Sequence, residues 1–179
     1  MPTTSLDLLA AIDFAAEKHR RQKRKDRESS PYVNHPIQVA ELLARVGKVD
    51  ERDVLLAAIL HDTLEDTETT RAELVGRFGT RVAGLVAEVT DDKSLPKAER
   101  KRLQVEHAPG LSHGAKLIKL GDRICNVRDV AASPPLGWSR PRRVDYLCWS
   151  RQVVAGCRGA SPALEREFDQ TLRQAWRSI

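Results

Sequence analysis

Residues 54–66 read VLLAAILHDTLED, and this stretch decides the fold. Its first seven residues, 54–60, are all apolar and belong in a protein interior. Four ionisable side chains follow within six positions, and charge placed so close to a core is costly unless it is paired or bound to a metal. The stretch therefore predicts a buried helix that leads directly into a functional site.

On a continuous helix, residues four apart share one face. We therefore predict one helix from about Glu51 to Glu65, in which His61 lies above Glu65 and Asp62 lies above Asp66. The end of that helix would offer two metal ligands and two further carboxylates. This arrangement is suited to the activation of a water molecule.

The remainder of the chain also reads as helices, which are recognised by apolar residues at helical spacing and by capping residues or breakers at their ends. Asn34 is the expected cap of the second helix, and Thr70 with Glu73 fits a capping box before another, which Gly79 closes. The expected helices cover about residues 5–22, 35–47, 51–65, 71–78, 81–90, 97–106, 113–131, 142–157 and 162–176.

No segment reads convincingly as a strand, and aromatic residues make up only 4% of the 179 residues. Strands are rich in aromatic and β-branched residues, so this composition favours packed helices. No internal repeat or low-complexity linker divides the chain. We predict a single all-α domain over residues 1–179, a compact bundle with a metal site between its helices.

The chain is basic, with 30 Lys and Arg against 25 Asp and Glu and a net charge of +5. The excess is concentrated in residues 19–25 and 140–143, and such clusters attract phosphate groups. Cations are also common, and mildly stabilising, at the C-terminal ends of helices. We interpret most of these residues as solvated helix ends and make exceptions of Arg24 and Lys25.

Several features predict a cytoplasmic protein without a membrane partner. No run of about 18 apolar residues is present, and the first 13 residues lack the basic start of a secretory signal. The cysteines, Cys125, Cys148 and Cys157, are odd in number and lack Cys-x-x-Cys spacing, which indicates reduced thiols. We expect Cys148 and Cys157 to fill the core.

Two residues elsewhere in the chain could complete a metal site around His61 and Asp62. His35 begins its predicted helix, and Asp122 lies in the middle of another, with Asn126 one turn beyond it. Each residue alone is a weak signal. Together, a histidine, a His-Asp pair on a second helix and an aspartate on a later helix resemble the pattern of the HD phosphohydrolase superfamily.

Two imidazoles and two carboxylates suit a first-row divalent metal or magnesium, and the carboxylates favour ions other than zinc. Such an ion would lower the pKa of a water molecule and polarise a phosphate. The remaining histidines, His19, His107 and His113, read as structural or surface residues. We therefore expect a site for one metal ion rather than two.

Several segments together carry a closer resemblance, to the hydrolase domain of the RelA/SpoT alarmone enzymes. The match is nearest to the small stand-alone SpoT homologues of animals and their bacterial counterparts, and it extends over almost the whole chain. The matching segments are Arg24-Lys25, residues 31–36 (PYVNHP), 61–67 (HDTLEDT), 89–93 (VTDDK), 119–123 (KLGDR) and 126–129 (NVRD).

The resemblance implies an HD-domain bundle that removes pyrophosphate from the 3′ position of guanosine tetra- and pentaphosphate, ppGpp and pppGpp, usually with Mn²⁺. It implies three groups of site residues. The metal ligands are His35, His61, Asp62 and Asp122, the catalytic acidic pair is Glu65 and Asp66, and the substrate contacts are Arg24, Lys25, Asn126, Lys97, Arg142 and Tyr146.

Two positions depart from the resemblance. Many relatives have Ala and Lys where this chain has Gly121 and Arg123, although neither change removes a ligand. Gly121 is expected to loosen its helix by up to about 1 kcal/mol relative to Ala. The chain is also too short for the synthetase and regulatory domains of the long RelA/SpoT proteins, so we expect degradation without synthesis.

Two alternatives remain open from the sequence. The small animal homologues are also linked to removal of the 2′-phosphate of NADPH, and pocket shape alone would separate that ester from the alarmone. The second alternative is a nucleotide- or RNA-binding module without catalysis. Against it stand the intact Glu65 and Asp66 and the lack of aromatic residues interleaved with basic ones. We expect no nucleic-acid partner, and the sequence leaves the oligomeric state open.

Overall fold

The computed structural model describes residues 4–179, and the all-α prediction is confirmed. Strand-like pairing in that range is limited to isolated bridge residues, which are the pair Lys23 and Pro31 and also Glu51. No helix among the described residues is long and apolar enough to cross a membrane. The helices are α1 (Ser5–Lys18), α2 (Asn34–Arg45), α3 (Arg52–Leu60), α4 (Thr63–Asp66), α5 (Arg71–Phe78), α6 (Thr80–Val89), α7 (Lys97–His107), a 3₁₀ turn (Ala108–Gly110), α8 (His113–Ala132), α9 (Arg140–Cys157) and α10 (Pro162–Ser178).

The centre of the molecule is formed by α3 and α8. Every residue from Val54 to Leu60 is buried, so α3 is enclosed on all sides, as expected for a helix that is apolar all round. Helix α8 is buried along most of its length and packs against α2, α3, α6, α9 and α10. Because α2 packs against both central helices, the three elements converge where the predicted metal ligands lie.

The predicted continuous helix over residues 51–65 is wrong. Helix α3 ends at Leu60, residues 61 and 62 form a turn, and α4 begins at Thr63. Two side chains form hydrogen bonds with backbone carbonyls at the end of α3. The Thr63 hydroxyl donates to Leu60 O at 2.7 Å, and His61 Nδ1 lies 2.8 Å from Ala58 O. His61 and Asp62 therefore lie in a turn between two helices, but Asp66 N still donates to Asp62 O at 2.8 Å, so Asp66 lies one helical turn beyond Asp62.

The capping residues predicted for α5 are observed at its ends, whereas the cap predicted for α2 is not. Gly79 ends α5 with φ 94°, as predicted, and Thr70 accepts a hydrogen bond from Glu73 N at 3.2 Å, which is one of the two bonds of the predicted capping box. Asn34 is not the cap of α2, because it is the first residue of that helix and Val33 precedes it without a side-chain cap bond. The backbone N–H of Asn34 instead donates to Pro31 O at 3.2 Å, so the preceding turn satisfies it.

Gly156 lies where α9 crosses the 3₁₀ turn. A Cβ atom there would lie 2.7 Å from Ala108 Cβ and 2.8 Å from Pro109 Cδ. Gly156→Ala is therefore expected to lower the free energy of unfolding by about 1–3 kcal/mol, because overpacking outweighs the gain in helix propensity. Urea denaturation monitored by circular dichroism measures the change.

Gly84 provides the matched control. It lies in the middle of α6, and a Cβ atom there would meet nothing within 4 Å. Gly84→Ala is expected to raise the free energy of unfolding by up to about 1 kcal/mol through helix propensity alone. Equal stabilisation by both substitutions would show that α9 does not approach the 3₁₀ turn as closely as the structure indicates.

Candidate metal centre and substrate clefts

The four predicted metal ligands come together from three elements. His35 lies at the start of α2, His61 and Asp62 in the turn after α3, and Asp122 in the middle of α8. Ligand atoms of His35, His61 and Asp62 all lie within 4.8 Å of one another. Asp122 Oδ1 lies 3.1 Å from His35 Nε2 and 3.9 Å from His61 Nε2. The structure thus gathers His35, His61 and Asp62 in one cluster and places the carboxylate of Asp122 beside its two imidazoles.

The tautomer of His61 is set by the backbone. Its Nδ1 lies 2.8 Å from Ala58 O, and since a carbonyl oxygen only accepts, Nδ1 carries the proton. Nε2 is buried, lies 3.0 Å from Asp62 Oδ2, and has no hydrogen-bond partner among residues 4–179. A backbone-anchored Nδ1 with a free Nε2 beside carboxylates is the usual environment of a metal-ligating histidine.

The electrostatics of this site favour a cation. Burial alone would lower the pKa of His61, but the carboxylates of Asp62 and Asp122 raise it to about 9. Burial opposes ionisation of Asp62, yet His61 and His35 hold the pKa of that carboxyl below its usual value. Positive charge is thus stabilised at the point where the ligand atoms meet, and the two-nitrogen, two-oxygen donor set fits a first-row divalent ion.

Metal affinity is expected to depend on pH because an ion must displace the proton that His61 holds below about pH 9. The pKa is raised, so the competing proton is present at neutral pH and is lost as the pH rises. We expect the Mn²⁺ affinity of the metal-free protein to increase roughly tenfold per unit between about pH 6 and about pH 8. Isothermal titration calorimetry measures it, and an affinity independent of pH would contradict this electrostatic account.

Arg123 and Asn126 hold Asp122 in place. Arg123 Nε donates to Asp122 Oδ2 at 3.1 Å, Nη2 donates to the same oxygen, and Asn126 Nδ2 donates to Oδ1. The buried guanidinium also lies 4.7 Å from the ring of Trp149 and 3.2 Å from the Tyr146 hydroxyl. From the sequence, Arg123 was noted only as a position that differs from relatives. A basic residue among the apolar residues of this helix, next to a predicted ligand, could have indicated its contact with Asp122.

The two residues of the acidic pair lie in different environments. Glu65 Oε2 accepts from Asp91 N at 3.1 Å, and its Oε1 lies 3.6 Å from Arg100 Nη1. Asp66 accepts from Gln22 Nε2 at 2.9 Å and pairs with Lys93.

Burial raises the pKa of Glu65, and nearby carboxylates, among them those of Asp62 and Asp66, add to the rise although the Asp91 N–H opposes it. A carboxylate with a raised pKa is a stronger base, which suits Glu65 to accept a proton.

Tyr32 is a site residue that the sequence did not single out. Its hydroxyl donates to Asp62 Oδ2 at 2.5 Å, and the guanidinium of Arg24 lies 5.7 Å from its ring. Tyr32 therefore joins the metal centre to the basic segment around Arg24. It belongs to the matching segment 31–36, but nothing in the residue pattern assigned it a contact.

A cleft of about 470 Å³ opens beside the metal centre. His35 and Asp66 line it on one side. Arg24 pairs with Asp129 there and lies 3.4 Å from Asn126 Oδ1. The predicted substrate residues that line this first cleft are Arg24, Lys25, Asn126 and Tyr146.

The other predicted substrate residues, Lys97 and Arg142, line a second cleft of about 320 Å³. Trp138 and Tyr146 belong to the walls of both clefts, so the two are neighbours separated by an aromatic pair. Burial lowers the pKa of Lys97, and the nearby cations Arg142, Lys25 and Arg100 lower it further. Like charges gathered in this way favour an anion in the second cleft.

The profile of the HD domain family matches residues 11–145. The chain belongs to the HD domain family. This HD-domain protein is 54% identical, over 91% of each chain, to the guanosine-3′,5′-bis(diphosphate) 3′-pyrophosphohydrolase MESH1 of Danio rerio. It is 51% identical, over 97% of each chain, to the protein of the same name from Homo sapiens.

A solved structure gives the same result. It is described as a metazoan ortholog of SpoT that hydrolyses ppGpp and plays a role in starvation responses. It matches this HD-domain protein with a TM-score of 0.92 and 46% identity over 96% of each chain. The predicted membership of the RelA/SpoT-type hydrolases is therefore confirmed, and the chain is a hydrolase.

Proposed function

We propose that this HD-domain protein is a metal-dependent guanosine-3′,5′-bis(diphosphate) 3′-pyrophosphohydrolase. It degrades ppGpp to GDP, and pppGpp to GTP, with release of pyrophosphate. One observation carries the proposal: His35, His61 and Asp62 cluster with Asp122 beside the two imidazoles, and His35 also lines a cleft that holds Asp66, Arg24 and Lys25. The names of the similar proteins support the same substrate.

The reaction forms a bond from a water oxygen to the phosphorus attached to the ribose 3′ oxygen and breaks the bond between that phosphorus and the 3′ oxygen. A bound divalent ion supplies Lewis acidity to the phosphate and lowers the pKa of water. Glu65, with its raised pKa, accepts the proton of the attacking water. Asp66, held by Gln22 and Lys93, orients that water.

Substrate shape fits the two clefts. The substrate carries diphosphate groups on two different carbons of the ribose, and the protein has two clefts that share an aromatic wall and each contain basic residues. In this proposal the 3′ diphosphate enters the first cleft beside the metal centre. Lys97 and Arg142 bind the 5′ phosphates in the second cleft, with Tyr146 between the two groups. Such distributed charge neutralisation stabilises phosphates in a transition state as well as on binding.

The proposal includes Mn²⁺ as the working metal, a small-molecule nucleotide as the ligand and the cytoplasm as the location. The mixed nitrogen and carboxylate donor set supports Mn²⁺ over softer ions. Cys125, Cys148 and Cys157 are all free, which supports a reducing compartment.

Product analysis tests the substrate. The Mn²⁺-loaded protein is incubated separately with ppGpp and with NADPH, and the products are separated by ion-exchange chromatography. We expect GDP and pyrophosphate from ppGpp. Orthophosphate and NADH from NADPH, without turnover of ppGpp, would instead establish an NADPH 2′-phosphatase. Salt-sensitive RNA binding with no turnover of either substrate would establish a binding module.

A further inference from the structure

His19 is a buried histidine that the proposed reaction does not use. It follows the last residue of α1 and is 2% exposed. Its Nδ1 lies 2.6 Å from Gln22 Oε1, and its ring packs against Tyr32 at a centroid distance of 5.0 Å. Gln22 in turn donates from Nε2 to Asp66 Oδ2 at 2.9 Å. A chain of two hydrogen bonds thus connects His19 to the acidic pair.

The direction of every hydrogen bond in this chain follows from the carboxylate. An ionised carboxylate only accepts, so Gln22 must turn its amide nitrogen toward Asp66. Its Oε1 then faces His19 and also only accepts, so His19 Nδ1 carries the proton. The buried Nε2 of His19 has no hydrogen-bond partner in the described part of the chain, so the bond from Nδ1 to Gln22 alone sets the orientation of the ring.

We propose that His19 and Gln22 form a positioning relay for Asp66. An amide side chain has two orientations of nearly equal shape, and only its hydrogen-bond partners distinguish them. His19 selects the orientation that points the Gln22 N–H at the carboxylate. The opposite orientation would place Gln22 Oε1 against Asp66 Oδ2 and push the carboxylate away from its place in the cleft.

The other partner of Asp66 cannot substitute for the relay. The side chain of Lys93 is flexible and half exposed, so it supplies a positive charge to Asp66 but does little to orient the carboxylate. Gln22 is anchored at both ends, because its backbone N–H donates to His19 O at 2.8 Å and its carbonyl accepts from Tyr32 N at 3.1 Å. The role of the relay in catalysis rests on the proposed function, in which Asp66 orients the attacking water.

Two substitutions of His19 test the contribution of its Nδ1 proton separately from that of its aromatic ring. His19→Phe keeps the ring against Tyr32 and removes the Nδ1–H, whereas His19→Asn places an amide N–H near the Nδ1 position and removes the ring. We expect kcat for ppGpp to fall about tenfold in His19→Phe, with KM and the Mn²⁺ dissociation constant nearly unchanged. His19→Asn is expected to retain more than half of the wild-type kcat. Equal losses in both variants, or no loss in His19→Phe, would overturn the relay.

Gln22→Ala removes the middle of the relay and does not depend on the folding of His19→Phe, so an unchanged kcat in Gln22→Ala would by itself overturn the relay. The substitution is expected to lower kcat to a similar extent, and adding His19→Phe to it should produce no further loss. Additive losses would show that the two residues act separately.

A readout without substrate distinguishes failure of the relay from failure of the proposed function. The ¹⁵N–¹H resonances of the Gln22 side-chain amide, recorded by NMR, should shift in His19→Phe and stay near wild type in His19→Asn. If they do so while the wild-type protein leaves ppGpp intact, the proposed function fails and the hydrogen-bond relay stands. Unchanged resonances in His19→Phe would overturn the relay whatever the substrate.

Discussion

Asp62→Ala is expected to abolish turnover and to weaken Mn²⁺ binding by at least about 100-fold, because it removes one of the two proposed anionic ligands from a buried site. Loss of this carboxylate also removes a group that raises the pKa of His61 and the acceptor of the Tyr32 hydroxyl. The site would therefore lose both a ligand and much of its attraction for a cation. Isothermal titration calorimetry and ppGpp turnover on the same preparations measure the two effects.

Asp169→Ala is the control for a general effect of removing an aspartate. Asp169 lies on α10 and pairs with Arg158, and both side chains are more than one-third exposed. Its loss is expected to change stability by at most about 1 kcal/mol and to leave Mn²⁺ affinity unchanged. Metal-dependent turnover that survives in Asp62→Ala would refute the assignment of Asp62 as a ligand.

Glu65→Gln is expected to keep the metal and to lose activity by a factor of about 100 or more, because an amide cannot accept the proton of the attacking water. The substitution preserves side-chain shape and can still accept from Asp91 N. The Mn²⁺ dissociation constant should therefore remain within about twofold of wild type. Steady-state kinetics with ppGpp, together with calorimetry, separates the chemical step from metal binding.

Glu68→Gln is the matched control. Glu68 lies three residues along the chain, and its side chain is 82% exposed, so the same chemical change occurs at a solvent-exposed position. It should behave as wild type. If Glu65→Gln also turned over at the wild-type rate, Glu65 would have no part in proton transfer.

The structure brings the four predicted ligands close together, although the local backbone around His61 differs from the prediction. The apolar run of α3 and the positions of His35 and Asp122 were sufficient to bring four ligands together, because buried helices with polar residues at their ends have few ways to pack. The break after Leu60 was not predicted, since side-chain bonds from His61 and Thr63 to backbone carbonyls leave no periodic signal in the sequence.

The supporting residues were the least predictable. Arg123, Tyr32 and Gln22 act through contacts with residues on other elements or through a specific turn, and no spacing rule reveals such contacts. His19 was interpreted as a structural or surface residue, and only its burial and the orientation of Gln22 connect it to Asp66. The split of the basic residues between two clefts also required the placement of Tyr146 and Trp138.

Gly121 gains a packing explanation from the structure. From the sequence, a glycine at this position was expected only to loosen α8. In the structure, a Cβ atom there would lie 3.0 Å from Leu43 Cδ2 and 3.1 Å from Val39 Cγ1. Both contacts are on α2, so the glycine allows α2 and α8 to approach closely. That approach brings His35 within hydrogen-bond distance of Asp122.

Reconstitution with metal tests the central claim most directly. Metal-stripped protein is titrated with Mn²⁺, and pyrophosphate release from ppGpp is measured at each addition beside the amount of bound metal. We predict no release before metal is added and a maximum rate at one bound ion per chain. Full activity in the stripped protein, or no pyrophosphate release from folded protein saturated with Mn²⁺, would contradict the account.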